Sequence, residues 1–213
     1  MSQPGSGARI GPRIGLFGGS FDPPHVAHLA LARTALQTLA LDELRWLPAG
    51  QPWQKPRSIT AAEHRDAMLG VMLQAAAEPR FVIDRRELCR PGASYTIDTA
   101  RELRCEQPQA TLFLIIGQDQ YAGLHTWRDW QALLQLVVLG VAQRPGVAAP
   151  VDADVQRAAQ QVVPLPMMDI AATDIRRRVS QGLPIGGLVT PEVARYIAHH
   201  GLYANQPKDA AAH

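Results

Sequence analysis

Gly18-Gly19-Ser20-Phe21-Asp22-Pro23-Pro24-His25-Val26-Ala27-His28 follows a short apolar run, Arg13 to Phe17, and leads into His28 to Leu41. There the apolar residues recur at helical spacing with no Gly or Pro among them. Strand, glycine turn and helix in that order predict the first βα unit of a doubly wound sheet. In such sheets ligands bind outside the carboxyl ends of the strands, and the first strand delivers this stretch there. Two glycines let backbone N–H groups approach an anion, and the helix N-terminus adds partial positive charge. The stretch has neither the Gly-Lys-Ser/Thr of a Walker loop nor the Gly-x-Gly-x-x-Gly of dinucleotide folds. Positive charge for phosphates must come from elsewhere, and His25 and His28, three apart at the helix mouth, are placed to supply it. A His-x-x-His pair alone also suits a surface feature or a metal pair. Zinc is the weaker reading, since no third ligand follows at a customary spacing.

Outward from this unit the punctuation continues the alternation. Leu44 to Leu47 reads as a second strand closed by Pro48, and Gln51 to Ile59, with Pro52 and Pro56, as an ordered loop. Thr60-Ala61-Ala62-Glu63 has capping-box spacing ahead of a helix over Ala67 to Ala77. Phe81 to Ile83 is a third strand, and Tyr95 to Cys105 a helix begun near Ser94 or Thr96. Thr111 to Ile116, ending at Gly117, is the strongest buried strand, and Gln135 to Ala142 is another. A Pro- and Ala-rich connection runs to about Asp154. Helices over Thr173 to Ser180 and Thr190 to His200 follow, the last with Thr190 as N-cap, Pro191 in the first turn and Gly201 as the stop. The expected fold class is α/β, with a doubly wound, mostly parallel sheet. The expected organisation is a disordered segment over 1–12, a single domain over 13–203 and a flexible tail over 204–213.

Composition sets outer limits. Of 213 residues, 46% are hydrophobic and 19% charged, enough apolar surface to bury a core and exclude global disorder. No run approaches the roughly 20 apolar residues of a membrane helix. Lys plus Arg at 21 against Asp plus Glu at 19 leaves +2, too balanced to argue for nucleic acid. Cys89 and Cys105 are the two cysteines, so neither a disulfide framework nor a four-cysteine zinc site is available. Met1 to Pro12 lacks the apolar core of a signal peptide, and a reducing, cytoplasmic setting is expected.

The glycine–histidine stretch resembles the signature of the HxGH nucleotidyltransferase superfamily and, more closely, that of bacterial nicotinate-nucleotide adenylyltransferases. Five further segments carry the same resemblance in the same order. They are Pro91-Gly92-Ala93-Ser94-Tyr95-Thr96, Ile115-Ile116-Gly117-Gln118-Asp119, Thr126-Trp127, Arg144-Pro145-Gly146 and Ile170-Ala171-Ala172-Thr173-Asp174-Ile175-Arg176. Any one is weak; the ordered set, spanning roughly residues 13 to 203, is specific. Three departures from the family pattern stand out. Ala27 replaces a Gly, Ala171-Ala172 replace serines with their hydroxyls, and Gln54-Lys55 replace a frequent His-Lys.

The resemblance implies a Rossmann-like nucleotidyltransferase fold and transfer of an adenylyl group from ATP to nicotinate mononucleotide, giving deamido-NAD and pyrophosphate. It implies catalytic roles for His25, His28 and Arg176. ATP would be bound by Gly18, Gly19, Ser20, Phe21, His25, His28, Lys55, Gly117, Asp119, Arg144, Thr173, Ile175 and Arg176. Nicotinate mononucleotide would meet Ser20, Lys55, Tyr95, Thr96 and Trp127, with the Trp127 indole as a platform for the pyridine ring. Mg²⁺ would be bound mainly through ATP phosphates, with no protein ligand. The partners implied are the two nucleotides, with no nucleic acid and no membrane, and a homo-oligomer is compatible with it. Plainer readings stand beside these. Asp119 also suits a turn cap, Trp127 a core position, Tyr95-Thr96 a helix start, and Arg177-Arg178 a solvated face. Two rival functions are adenylyl or cytidylyl transfer to another phosphate, such as phosphopantetheine, and a catalytically silent nucleotide-binding module.

Overall fold

The computed structural model describes residues 11–51, 59–143, 151–164 and 168–204. Trp53, Gln54 and Lys55 of the expected loop, Arg144, and the terminal segments 1–10 and 205–213 lie outside them.

The chain alternates as β1 (Arg13–Gly19), α1 (Val26–Thr38), β2 (Glu43–Pro48), α2 (Ala62–Ala76), β3 (Phe81–Ile83), α3 (Arg86–Cys89), α4 (Thr96–Glu106) and β4 (Thr111–Gly117). It continues with α5 (Gln118–Ala122), a 3₁₀ turn over Leu124–Thr126, α6 (Trp130–Leu136), β5 (Val137–Gln143), α7 (Ala153–Arg157), β6 (Gln160–Pro164), α8 (Ala172–Ser180) and α9 (Pro191–His199). The sheet has six strands in the order β3-β2-β1-β4-β5-β6, and every pairing is parallel. The order reverses between β1 and β4, where Leu16 lies opposite Leu114. That is the topological switch point at which such sheets open a ligand crevice.

Both faces of the sheet are covered, so its central strands read as continuous apolar runs. Successive residues of β4 serve opposite faces. Leu112, Leu114 and Ile116 pack with Ile97, Leu103, Leu133 and Val155 from α4, α6 and α7. Phe113 and Ile115 pack with Leu36, Met68, Ile175 and Val193 from α1, α2, α8 and α9. Full burial of each such side chain contributes about 1.5–3 kcal/mol.

Helix α9 forms as expected: Thr190 accepts from the Val193 N–H, Pro191 occupies the first turn, and Gly201 takes φ +59°. Four local expectations need correction. α1 begins at Val26, so His25 is its N-cap and His28 its third residue. α2 begins at Ala62 with Ala61 as N-cap, and no side-chain bond caps it. Thr60 lies one residue before the cap, and its hydroxyl bonds Tyr203. Gln135 and Leu136 belong to α6, and β5 starts at Val137. β6 was not anticipated. Val163 alone among its residues is buried, so period-2 patterning is weak and the strand is held by backbone pairing to β5 at the sheet edge.

Candidate active site

The β1–α1 loop owes its course to one unusual residue. Phe21 adopts φ +47°, which turns its ring inward against Phe17, Trp46 and His28, at centroid distances of 5.7, 5.5 and 5.2 Å. The ring lies so close over Gly19 that a Cβ there would sit 3.0 Å from it, so the second glycine is a packing requirement. Asp22, 1% exposed, anchors the next stretch. Its Oδ1 accepts from the Tyr203 hydroxyl at 2.8 Å, and its carbonyl accepts from Arg176 Nη1 at 2.8 Å. Arg65, on α2 and equally buried, donates to four carbonyls: Thr60, Ser20, Ala49 and Gly50, at 2.8, 3.0, 2.7 and 3.1 Å. One guanidinium thus ties the loops after β1 and β2 to the entrance of α2. Its planar fork meets carbonyls that would otherwise be buried without donors.

The two histidines sit at the mouth of α1 with rings stacked, centroids 3.6 Å apart and planes at 24°. The His25 backbone N–H donates to His28 Nδ1 at 3.2 Å, which leaves Nε2 to carry the ring proton of His28. Burial lowers the His25 pKa from 6.5 to about 4, so this ring is neutral near pH 7. The expectation that His25 supplies positive charge is therefore corrected: in this state it offers an N–H, and no net charge. Its side chain faces the His28 backbone N–H in a reciprocal capping box, and its Nδ1 is buried.

These groups open on a cavity of about 450 Å³ at the carboxyl ends of β1, β2, β4 and β5. Gly18, Gly19, Ser20, His25 and His28 form one wall. Gly117, Gln118 and Asp119 line it at the end of β4, where Gln118 Oε1 is buried without a partner among the described residues. Thr96, Trp127, Ser94 and Glu87 also line it. A second, more open cavity of about 600 Å³ lies between α2 and α9 and contains none of these residues. Among the described residues no three of His, Cys, Asp and Glu are grouped to hold a metal ion.

The geometry has counterparts in known proteins. Residues 16–178 match the cytidylyltransferase-like family model. A probable nicotinate-nucleotide adenylyltransferase of Albidiferax ferrireducens is 47% identical over 195 residues, covering 90% of this chain and 98% of that protein. One from Methylibium petroleiphilum is 45% identical over 198 residues, covering 90% and 92%. The chain belongs to the nicotinate-nucleotide adenylyltransferase family. The fold agrees with a solved structure of Plasmodium falciparum nicotinic acid mononucleotide adenylyltransferase complexed with NaAD. The TM-score is 0.75 at 18% identity, with 90% of this chain and 97% of that chain covered.

For a nicotinate-nucleotide adenylyltransferase family member, the expected residues divide clearly. Gly18, Gly19, Ser20, His25, His28, Thr96, Gly117, Asp119 and Trp127 share the cavity. Phe21 and Ile175 have their side chains in the core, 1% and 0% exposed, so contact with a nucleotide would run through their backbones alone. Arg176 is buried; it donates to the Asp22 carbonyl and to the Thr173 hydroxyl, supporting the loop from behind. Tyr95 is not among the cavity-lining residues, and the Arg128 guanidinium covers its ring at 4.6 Å. Arg65, Asp22, Tyr203, Glu87 and Gln118 were not anticipated as site residues. Asp22 and Gln118 lie inside quoted stretches, where a sequence signal existed; Arg65, Tyr203 and Glu87 meet the site through tertiary contacts.

Proposed function

We propose that the protein transfers the adenylyl group of ATP to nicotinate mononucleotide, releasing pyrophosphate and forming deamido-NAD. The observation that carries this reading is one cavity joining the glycine–histidine loop to Asp119, Thr96 and Trp127. A phosphate-binding end and an aromatic end share a single space.

The 5′-phosphate of the mononucleotide attacks the α-phosphorus of ATP in line. An ionised phosphate oxygen is already a nucleophile, so no general base is needed, and catalysis rests on alignment and charge stabilisation. Backbone groups of Gly18, Gly19 and Ser20 cradle phosphate, while His25 and His28 donate ring N–H groups to oxygens that gain charge as pyrophosphate leaves. Asp119 accepts from ribose hydroxyls. Arg176 keeps the loop in place through the Asp22 carbonyl. Lys55 and Arg144, carried by the resemblance, complete the assigned phosphate and adenosine contacts. Mg²⁺, carried mainly by ATP and not by protein ligands, would supply charge neutralisation at the phosphates. The donor set fits that arrangement, since the cavity offers N–H groups to phosphates and one exposed carboxylate, Asp119. An ion that gives up its waters reluctantly suits a nucleotide-borne site. We take residues 13–203 as the catalytic domain. We assign a cytoplasmic setting, with both cysteines free and exposed and no described helix long and apolar enough to cross a membrane.

Trp127 can stack on the cationic pyridine ring of either the acid or the amide mononucleotide. Discrimination must come from the substituent: a carboxylate only accepts hydrogen bonds, whereas a carboxamide NH₂ needs an acceptor. N–H donors at the start of α4 satisfy the acid and leave the amide unpaired. Pyrophosphate release from ATP and Mg²⁺ is measured with nicotinate mononucleotide, its amide and phosphopantetheine. The expected kcat/KM for the acid exceeds that for the amide by at least about two orders of magnitude. Equal values for acid and amide, or a preference for phosphopantetheine, refute the assignment.

A further inference from the structure

Glu87 is a carboxylate in an expensive place. It lies on the single turn α3, is 6% exposed, and borders the cavity beside Ser94 and Thr96. Taking a carboxylate out of water is costly unless its lone pairs are filled. Here they are engaged by the Ser94–Thr96 turn and the helix that follows it. Thr99, fully buried in the first turns of α4, donates its hydroxyl to Glu87 Oε1 at 2.8 Å. The Ser94 hydroxyl is a second hydrogen-bonding neighbour. Arg90 Nη1 donates to the Thr99 oxygen at 3.3 Å, and Arg90 Nη2 to Glu102 at 2.7 Å, so the chain of donors runs from Arg90 through Thr99 to Glu87.

The same contacts set the course of the Ser94–Thr96 turn. Ser94 Oγ accepts from the Gly50 N–H at 3.0 Å, and the Ser94 N–H donates to the Gln51 carbonyl at 3.0 Å. The loop after β2 presses against α3 so closely that a Cβ on Gly50 would lie 2.3 Å from the Glu87 carbonyl. Gly50 in turn is gripped by Arg65, which also holds Ser20. Glu87 is therefore joined to the entrance of α4 by side-chain bonds and to the β2 loop by backbone packing. The phosphate end of the cavity has anchors of its own in Arg176 and Tyr203, which hold Asp22, while Arg65 is shared between the two ends.

We infer that Glu87 is a positioning residue that sets acid-over-amide specificity at the α4 end of the cavity. It acts in two ways. Its hydrogen bonds hold the Ser94–Thr96 turn where N–H donors meet the substituent of the pyridine ring. The Thr99 and Ser94 hydroxyls also fill part of the acceptor capacity of its carboxylate, which leaves less of it for a carboxamide NH₂. Burial pushes the Glu87 carboxyl up and Asp84 adds to this, while Thr99, Ser94 and Arg90 pull it down.

This inference rests on the proposed adenylyl transfer, and its test separates the two. Steady-state kinetics are run on the full chain with ATP and either the acid or the amide mononucleotide, for wild type, Glu87→Gln, Thr99→Val and Thr99→Ser. Glu87→Gln and Thr99→Val each lower the acid-to-amide ratio of kcat/KM by about tenfold, the scale of one lost charged hydrogen bond. KM for ATP stays within about twofold, because the phosphate end has its own anchors. Thr99→Ser keeps the donor and retains the wild-type ratio. A purely structural role would shift both substrates and ATP together. Thr99→Val with an unchanged ratio, or with ATP KM rising in parallel, overturns the inference even if Glu87→Gln does not fold. A wild type that forms no deamido-NAD refutes the activity and this inference with it. A wild type that does, with ratios unchanged in the variants, refutes this inference alone.

Discussion

His25→Gln isolates one buried ring and should change how stability responds to pH. In the folded chain the His25 pKa is lowered by burial to about 4 from 6.5. Between those values the unfolded chain takes up a proton that the folded chain refuses, so stability rises with pH across this window. The contribution is intact above about pH 6.5, is lost as pH falls toward 4, and is level below that. The full shift corresponds to about 3 kcal/mol, at 1.36 kcal/mol per unit. At pH 5 the loss already amounts to about 2 kcal/mol. Urea unfolding followed by circular dichroism at pH 7.5 and pH 5.0 reads this directly. With a slope of about 2 kcal/mol per M, the wild-type midpoint falls by about 1 M more than that of His25→Gln over the same interval. The comparison cancels carboxylates and the other histidines, including His200, whose pKa is lowered by burial and by His199 and His64. Equal pH dependence in the two proteins would refute the assignment of His25 as a buried neutral ring.

Two further outcomes test the site from opposite sides. His28→Ala should lower kcat by about 10²–10³ with a much smaller rise in KM for ATP, since its contact strengthens as charge develops on the leaving group. A near wild-type kcat, measured by pyrophosphate release, would remove it from the catalytic set. Tyr203→Phe deletes the hydroxyl that donates to buried Asp22 at 2.8 Å and should cost about 1–3 kcal/mol of stability in urea unfolding. A loss below about 0.5 kcal/mol would show that the C-terminal tyrosine does not anchor the loop.

Much of the molecule was legible along the chain because its signals are local. The apolar run Thr111 to Ile116, the glycine turn after β1 and the Thr190-Pro191 helix start each encode their element within a few residues. Alternation of such elements suffices for a doubly wound sheet. The quoted stretch likewise marked the ligand end, because a strand, a glycine turn and a helix place it there on any such sheet. What lacked a local signal was misplaced or missed. Thr60 has the right neighbours for a cap, but the helix starts one residue later with Ala61 as N-cap, and the Thr60 hydroxyl bonds Tyr203 from far along the chain.

The chemistry of the site divides along the same line. Residue types and spacing suffice to nominate His25 and His28, because the hydrogen-bonding capacity of an imidazole is a property of the residue. Whether such a ring carries charge is a property of its surroundings, and burial decided that His25 is neutral. The resemblance nominates Arg176 as a phosphate ligand, and only the fold shows that its guanidinium also bonds the Asp22 carbonyl and Thr173. Neither Arg65 nor Glu87 carries a local signal in the sequence. Only the tertiary structure sets Arg65 among four carbonyls and Glu87 against Thr99. Their partners come from loops and helices that the sheet order brings together, and a buried charge is tolerable only where such partners converge.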